Sequence, residues 1–282
     1  MISQPIVTLR ADQALKPSTR VTVTVEPPVN FKWGRRDAFG TPAFWAAEAS
    51  MRPVGAPWRS HVADDPECLI RDVAYCLLGG YRVRAEVNEA ALNAVEESGF
   101  LRANADFSPS DIEAVLSAPL RGSGLRAHRY PFPKQKARRL SAVTSALRSG
   151  DVLRSESSST GLRDALMLLP GIGPKTASWI VRNHLGADDV AIVDVHIERA
   201  GRAAGFFSPE WRLPRDYPLY EAAFLAFADL AGVSAAILDL VIWTEMRAFP
   251  RAVALLPKRR CETSSRREDV GSLCAAVAPS AR

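Results

Sequence analysis

The sequence has few cysteines, and their spacing excludes the usual cysteine-based sites. The four cysteines stand at positions 68, 76, 261 and 274, and no two of them form the C-x2-C pair typical of a structural zinc site. Cys68 and Cys76 fall in an apolar helical pattern, so we expect buried thiols rather than a disulfide framework. This usage is typical of a reducing compartment and predicts a cytoplasmic, nucleoid-associated protein if the partner is DNA.

Membrane and secretion signals are also missing. No run of about 18 apolar residues occurs, so neither a membrane span nor a membrane partner is expected. The first residues, MISQPIVTLRADQALK, lack a basic stretch followed by an apolar core, so no secretory signal is expected. The 282 residues, 47% hydrophobic and 24% charged, are enough for one large domain or two lobes.

Acidic residues are absent from one long segment, which concentrates the positive charge. Between Arg121 and Arg148 there are eight Lys and Arg residues and no acid, so the segment carries +8 and the rest of the chain sums to −3 of the net +5. Such a segment favours binding to a phosphate backbone, although a solvated helix face would give the same pattern. The basic residues expected to contact DNA are Lys134, Lys136, Arg138 and Arg139.

The patterning divides the chain into three parts. Residues 1–60 are predicted to be a β-containing N-terminal extension, because VTVTV at 21–25 alternates with period two, and residues 30–40 are loop-like. Residues 61–256 are predicted to be a helical domain in two lobes. Residues 257–282 are basic and serine-rich and are predicted to be a disordered tail. Helices are expected near 66–78, 88–97, 108–116, 134–148, 160–169, 174–185, 195–204 and through 217–247.

The most informative stretch is LLPGIGPKTASWIVRNHLGADDVAIVDVHIERA, residues 168–200. The sequence Pro-Gly-Ile-Gly breaks one helix and Pro174 suits the first position of the next, which predicts a helix–hairpin–helix. Glycines leave the N–H groups of the turn open, and N–H groups at a helix start bind anions. We therefore expect Gly171, Ile172 and Gly173 to bind a DNA phosphate, with an ordinary helical hairpin as the alternative.

Two residues of this stretch can carry chemistry. Lys175 lies in the first turn of the second helix, where the helix dipole and burial would lower its pKa and make it a nucleophilic amine. A solvated, phosphate-binding lysine is the alternative. Asp194 follows an apolar run and precedes a helix, so it can be an N-cap, a catalytic carboxylate or both. His196 is expected to contact a phosphate or the extruded nucleotide, or else to make a structural hydrogen bond.

Residues outside the motif are candidates for handling the base. Asp239 and Trp243 are one helical turn apart, so the indole could stack on an extruded base while the carboxylate accepts guanine-type N–H groups. A core tryptophan with a satisfied aspartate is the alternative. In the Gly-Gly-Tyr-Arg turn at 79–82, Tyr81 could intercalate as a wedge and Arg82 could reach the orphan base. A simple helix-ending turn would look the same.

Residues 160–205 closely resemble the helix–hairpin–helix DNA glycosylases. LPGIGPKTA is similar to the hairpin of endonuclease III, and VDVH is similar to the corresponding turn of eukaryotic-type 8-oxoguanine DNA glycosylase. The resemblance implies a mostly α, two-lobed helix–hairpin–helix glycosylase fold with a β-containing N-terminal extension. It also implies catalytic roles for Lys175 and Asp194. Members with this lysine combine base excision with strand cleavage, so a bifunctional glycosylase and AP lyase acting on 8-oxoguanine is implied.

The resemblance also bears on cofactors and partners. The endonuclease III branch binds an iron–sulfur cluster through four closely spaced cysteines after the motif, and only Cys261 and Cys274 occur there. We therefore expect no cluster, no metal and no organic cofactor. The implied partner is double-stranded DNA containing a damaged base, bound by a monomer. Asp239 and Trp243 are similar to the base reader of archaeal 8-oxoguanine glycosylases.

Two alternative functions remain open. The first is a glycosylase for another base, such as an oxidised pyrimidine, an alkylated purine or a hypermodified phage base. The second is a non-catalytic DNA-binding module that uses the hairpin only for phosphates. That module would leave the pairing of Lys175 with Asp194 without a purpose.

Overall fold

The computed structural model describes residues 16–23, 28–52, 66–80, 82–122, 125–150 and 158–256. The expectations for Tyr81, Cys261, Cys274 and the tail at 257–282 lie outside these residues and stay predictions.

The described chain is mostly helical, as the sequence predicts. The strands β1 (Arg20–Val23) and β2 (Val29–Lys32) form one antiparallel hairpin, and β3 (Leu120–Gly122) and β4 (Leu125–His128) form another. The helices are α1 (Pro42–Ser50), α2 (Pro66–Leu78), α3 (Ala85–Glu97), α4 (Pro109–Ser117), α5 (Pro133–Ser149), α6 (Ser159–Met167), α7 (Pro174–Leu185), α8 (Val195–Ala204), α9 (Tyr217–Ala231), α10 (Ala235–Ala248) and α11 (Pro250–Leu255).

One hydrophobic core is formed by the six helices from α2 through α7 together with the hairpin β3–β4, and we call this part of the chain lobe 1. Its buried side chains run from Leu69 to Val190 and include Cys76, as the apolar pattern predicts. The first turn of α4 shows why the helices begin where they do. Ser108 accepts a hydrogen bond from the N–H of Asp111, and the Asp111 carboxylate accepts one from the N–H of Ser108. This reciprocal pair satisfies two otherwise unpaired amides.

A second core, which we call lobe 2, combines the N-terminal hairpin and α1 with the chain from Ala191 to Val253. The extension is β-containing, as predicted, and its buried face belongs to this core. Phe31 on β2 meets the rings of Phe206 and Phe227 edge-on, with centroids 6.3 and 6.0 Å away. β2 begins inside the stretch expected to be a loop. Its alternation of buried and exposed residues is too short to predict a strand, and the strand is stabilised by pairing with β1 and by this aromatic contact.

The apolar region at 217–247 is two helices rather than one. Gly232 adopts φ +66 and ends α9, and the Ser234 hydroxyl caps α10 by accepting a hydrogen bond from the N–H of Ile237. A left-handed residue at this position is a common helix terminator. Among the described helices none is long and apolar enough by itself to cross a membrane, and α9 and α10 meet those criteria only as a pair bent by 102°.

Lys136 points inward from α5 and caps the end of α2. Its Nζ donates hydrogen bonds to the carbonyl oxygens of Leu77 and, at 2.9 Å, of Gly79. The last carbonyls of a helix have no intrahelical partners and attract cations. Burial, with smaller contributions from the charges of Arg139 and Lys175, lowers the pKa of Lys136 to about 8. The structure therefore uses the Lys136 ammonium inside lobe 1, which argues against the expected contact of Lys136 with a DNA phosphate.

Gly201 offers a test of the packing in lobe 2. A Cβ at this position within α8 would lie 2.2 Å from Cδ2 of Phe207 and 2.7 Å from Cε2 of Phe206. Gly201→Ala should lower the free energy of unfolding by about 1–3 kcal/mol because the aromatic rings must move. In an ordinary helix the same change is stabilising by about 0.5–1 kcal/mol. Urea unfolding measures the sign, and a gain in stability would contradict this packing.

Lys136 makes the stability depend on pH in a defined direction. The folded protein releases the Lys136 proton near pH 8, whereas an unfolded lysine keeps it to a pKa near 10.5. Between these values unfolding takes up a proton, so raising the pH stabilises the folded state through this residue. We expect wild type to gain stability over Lys136→Met as the pH rises from about 8 to about 10. Melting temperatures at both pH values measure the change, with exposed Lys134→Met as the control. A wild-type advantage that stays constant would refute the shift.

Candidate active site and DNA interface

The turn between α6 and α7 is anchored by one apolar side chain and left open by two glycines. Ile172 is buried in the core of lobe 1, and its N–H donates to the carbonyl of Leu169 at 3.2 Å. Gly171, at φ +85, and Gly173, the N-cap of α7, are both exposed. The first N–H groups of α7 have no intrahelical acceptor. The predicted helix–hairpin–helix is confirmed, and its geometry suits binding of an anion through backbone N–H groups.

Arg139 joins this hairpin to the basic helix α5. A Cβ on Gly171 would lie 2.4 Å from Cδ of Arg139, so the arginine side chain passes directly over this glycine. Lys134 and Arg138 are exposed and four residues apart on α5, which places them on one face of the helix. The structure therefore brings Arg139 to the hairpin and leaves Lys134 and Arg138 available to solvent.

Lys175 lies in the first turn of α7 beside two aromatic rings. Its Nζ is 4.6 Å from the ring centroid of Trp179, and that indole meets Tyr75 edge-on with centroids 5.4 Å apart. All three side chains are half-buried. Gly79, at the end of α2, closes the cluster, since a Cβ there would lie 3.1 Å from Cη2 of Trp179. We did not predict Trp179, although its spacing from Lys175 puts both on one face of α7.

Asp194 is the N-cap of α8, as one of its sequence interpretations predicts. Its Oδ1 accepts hydrogen bonds from the N–H groups of His196, at 2.8 Å, and Ile197, at 3.0 Å. Its Oδ2 takes no hydrogen bond from any described residue, and the side chain is half-buried. The His196 ring is half-buried as well and has no hydrogen-bond partner in the described part of the chain. One oxygen therefore holds the helix, and the other is free for chemistry.

Asp239, the carboxylate of the expected base reader, is buried and ion-paired. It is 6% exposed and its carboxylate forms an ion pair with the guanidinium of Arg182 on α7. Burial raises the pKa of Asp239 to about 6, Arg182 opposes the rise, and the Asp194 carboxylate adds to it. The Lys175 charge also lowers this pKa, so the three residues share one electrostatic environment. In this conformation the Asp239 carboxylate binds Arg182, and its contact with a base stays a prediction.

Trp243, the other half of the expected base reader, is half-buried on α10. The guanidinium of Arg247 lies 4.2 Å from the centroid of its ring. One face of the indole is therefore covered by a cation from the next turn of its own helix. Stacking of Trp243 on a base stays a prediction.

Arg82, the described half of the expected wedge, has an unusual backbone. It is exposed and adopts φ +64, a left-handed conformation that costs free energy for a residue with a side chain. Gly80, two residues earlier, adopts φ +117. The turn therefore projects Arg82 from the end of α2, and its contact with an orphan base stays a prediction.

Within the described residues, no three His, Cys, Asp or Glu side chains come close enough together to hold a metal ion. The chemistry that these residues offer is that of a primary amine, a carboxylate, two aromatic rings and a set of backbone N–H groups.

Known proteins share both the sequence pattern and the fold. The family model of 8-oxoguanine DNA glycosylase, in its helix–hairpin–helix form, matches residues 58–233. The 8-oxoguanine DNA glycosylase of Methanocaldococcus jannaschii superposes with a TM-score of 0.54 at 22% identity, over 72% of this chain and 86% of that one. Its complex with a 15mer DNA containing 8-oxoguanine gives 0.53 at 21% identity, over 73% and 89%. The chain thus belongs to the helix–hairpin–helix 8-oxoguanine DNA glycosylase family, and it is a DNA glycosylase with the mostly α fold of that superfamily.

Proposed function

We propose that this protein is a bifunctional DNA glycosylase and AP lyase that removes 8-oxoguanine from duplex DNA through a Schiff base on Lys175. The observation that carries the proposal is the position of a primary amine, Lys175, in the first turn of α7 directly after the open hairpin, in a chain that matches the 8-oxoguanine DNA glycosylase family. A family identity alone would support base excision. A primary amine beside two aromatic rings, together with a carboxylate that keeps one oxygen free, supports strand cleavage as well.

Base release uses both groups. The Nζ amine of Lys175 attacks C1′ of the damaged nucleotide, the C1′–N9 bond breaks, and the base leaves with its electron pair and takes up a proton. The free Oδ2 of Asp194 stabilises the positive charge that develops at C1′, and it can accept the proton that the lysine nitrogen loses once its bond to C1′ has formed. Trp179 and Tyr75 supply apolar faces beside the amine, which limit water around the reacting atoms.

Strand cleavage follows from the covalent intermediate. The deoxyribose ring opens to give an iminium between Nζ of Lys175 and C1′. Removal of a proton from C2′ then breaks the C3′–O bond by β-elimination, and hydrolysis of the imine releases the lysine. Each step uses only the amine, a base and water, so the proposed mechanism requires no cofactor.

DNA binding is assigned to the hairpin and to α5. The open N–H groups at Gly171 and Gly173 hold a phosphate, and Lys134, Arg138 and Arg139 contact neighbouring phosphates. His196 and Arg82 are further candidates, with Arg82 reaching the base left unpaired when the lesion is extruded. The proposed contacts require no second subunit, and we expect the protein to act as a monomer.

The nucleophile is tested by chemical trapping. Borohydride should reduce the imine and link wild-type protein covalently to a duplex containing 8-oxoguanine, whereas Lys175→Gln should form no adduct because it has no amine. Asp194→Asn should bind the duplex nearly as well as wild type but release the base at least roughly 100-fold more slowly. Gel mobility of the adduct and single-turnover base release measure these outcomes.

The same experiment separates the alternatives. Trapping that survives in Lys175→Gln would overturn the assignment of the nucleophile. Duplex binding by wild type with neither base release nor trapping would favour a module that only binds DNA. A panel of duplexes containing an oxidised pyrimidine, an alkylated purine or 8-oxoguanine decides which base is removed.

The phosphate contacts are tested by salt dependence. Lys134→Ala and Arg138→Ala should each reduce the slope of log K against log salt by about 0.9, because each removes one phosphate contact. Lys136→Met is the matched control on the same helix and should leave the slope unchanged, since its ammonium binds carbonyls inside lobe 1. Fluorescence anisotropy with a labelled duplex gives the slopes. Equal losses in all three variants would contradict this division of α5.

A further inference from the structure

The two residues proposed for catalysis are held by different hydrophobic cores. Lys175 lies on α7, whose Ala177, Ile180 and Val181 pack in lobe 1. Asp194 is the N-cap of α8, whose Ile197 packs in lobe 2. The division between the cores falls at Val190 and Ala191, inside the connection between the two helices. The position of the amine relative to the carboxylate therefore depends on how the lobes are joined.

A buried ion pair crosses from one lobe to the other close to the catalytic groups. Arg182 is on α7, two helical turns beyond Lys175, and its guanidinium binds the carboxylate of Asp239 on α10. The side chains of Arg182 and Asp239 are only 10% and 9% exposed. A buried pair of this kind contributes little net stability, because removing two charges from water is costly, so a positioning role is the better account of it.

A second carboxylate of lobe 2 makes a parallel crossing. Glu221 on α9 accepts hydrogen bonds from Arg163 on α6, at 2.6 Å, and from Ser178 on α7, at 3.2 Å. It also accepts one from the N–H of Ala191 at 3.0 Å, in the connection itself. Both helices of the helix–hairpin–helix are thus tied to lobe 2 by polar contacts.

We propose that the buried pair of Arg182 and Asp239, supported by Glu221, positions Lys175 against Asp194 by fixing α7 to lobe 2. The pair acts through the lysine and does not touch the substrate. This assigns to Asp239 a role different from the base reading expected from the sequence. The proposal rests on the proposed function, because it takes Lys175 as the nucleophile.

Two substrates distinguish positioning from base reading. An 8-oxoguanine duplex requires extrusion and recognition of the base before the lysine attacks, whereas a duplex with an abasic site requires only the attack. A positioning role predicts that Asp239→Asn slows borohydride trapping on both duplexes. A base-reading role predicts a loss on the 8-oxoguanine duplex alone.

The expected result is a roughly 10- to 100-fold lower maximal single-turnover rate of trapping on both duplexes for Asp239→Asn, because small displacements of reacting groups cost this much. The protein concentration giving half the maximal rate should stay within about twofold of wild type, since the phosphate contacts are untouched. Arg182→Lys keeps the charge but not the guanidinium, and it should give a smaller loss in the same direction. This conservative variant carries the test if Asp239→Asn does not fold.

The matched control is Asp72→Asn. Asp72 on α2 forms a buried pair with His184, which is also on α7, but both belong to lobe 1. The Asp72→Asn variant should be less stable than wild type, but its folded molecules should be trapped as fast as wild type. Hydrogen–deuterium exchange gives a readout independent of catalysis: segment 186–194 should exchange faster in Asp239→Asn than in Asp72→Asn.

Each outcome has a defined meaning. Slower trapping on the 8-oxoguanine duplex alone, unchanged trapping on both duplexes, or equal effects of Asp239→Asn and Asp72→Asn would each overturn the positioning role. If wild type releases the base but is never trapped, the lysine mechanism fails. Exchange in segment 186–194 and the rate of base release then still decide whether the pair holds the lobes, because Asp194 needs the same alignment.

Discussion

The alignment of the two lobes depends on polar contacts between two separately packed hydrophobic cores. Lobe 1 carries Lys175 and lobe 2 carries Asp194, and no buried apolar cluster of the described residues spans both. Apolar packing tolerates sliding and repacking, whereas an ion pair or a hydrogen bond fails if its partners move apart by about an ångström. Contacts such as those of Arg182 and Glu221 are therefore suited to hold a fixed distance across the boundary.

The electrostatics around Asp239 follow from the same arrangement of the two lobes. Burial works against the charge of Asp239 and raises its pKa to about 6, and the guanidinium of Arg182 favours the charged form. The Asp194 carboxylate disfavours a second negative charge nearby, and the Lys175 ammonium favours it. Three charged groups, two on α7 and one at the N-cap of α8, thus act on the Asp239 carboxylate of α10.

The basic helix α5 serves two purposes that its composition does not separate. Lys136 stabilises the end of α2 from within lobe 1, while Lys134 and Arg138 remain exposed. Arg139 lies between these extremes, because it is half-buried and packed over Gly171 of the hairpin. The same helix therefore packs against the turn of the helix–hairpin–helix and presents charge to solvent.

The sequence by itself determined the features that depend on a few adjacent residues. Glycine and proline positions predicted the hairpin, and Asp194 between an apolar run and a helix predicted the N-cap, because backbone preference and capping act within one turn. The lysine and carboxylate chemistry followed from the resemblance of that same short stretch.

Only the tertiary structure decided which partner each charged side chain finds. Arg182 and Asp239 are 57 residues apart and Lys136 binds a carbonyl 57 residues away, so nothing local distinguishes these residues from surface charges. The strand β2 and the helix α1 likewise gained their places from the aromatic core of lobe 2, not from their own short patterns. The physical reason is that burial and ion pairing are set by contacts between distant segments, whereas turns and caps are set by their neighbours.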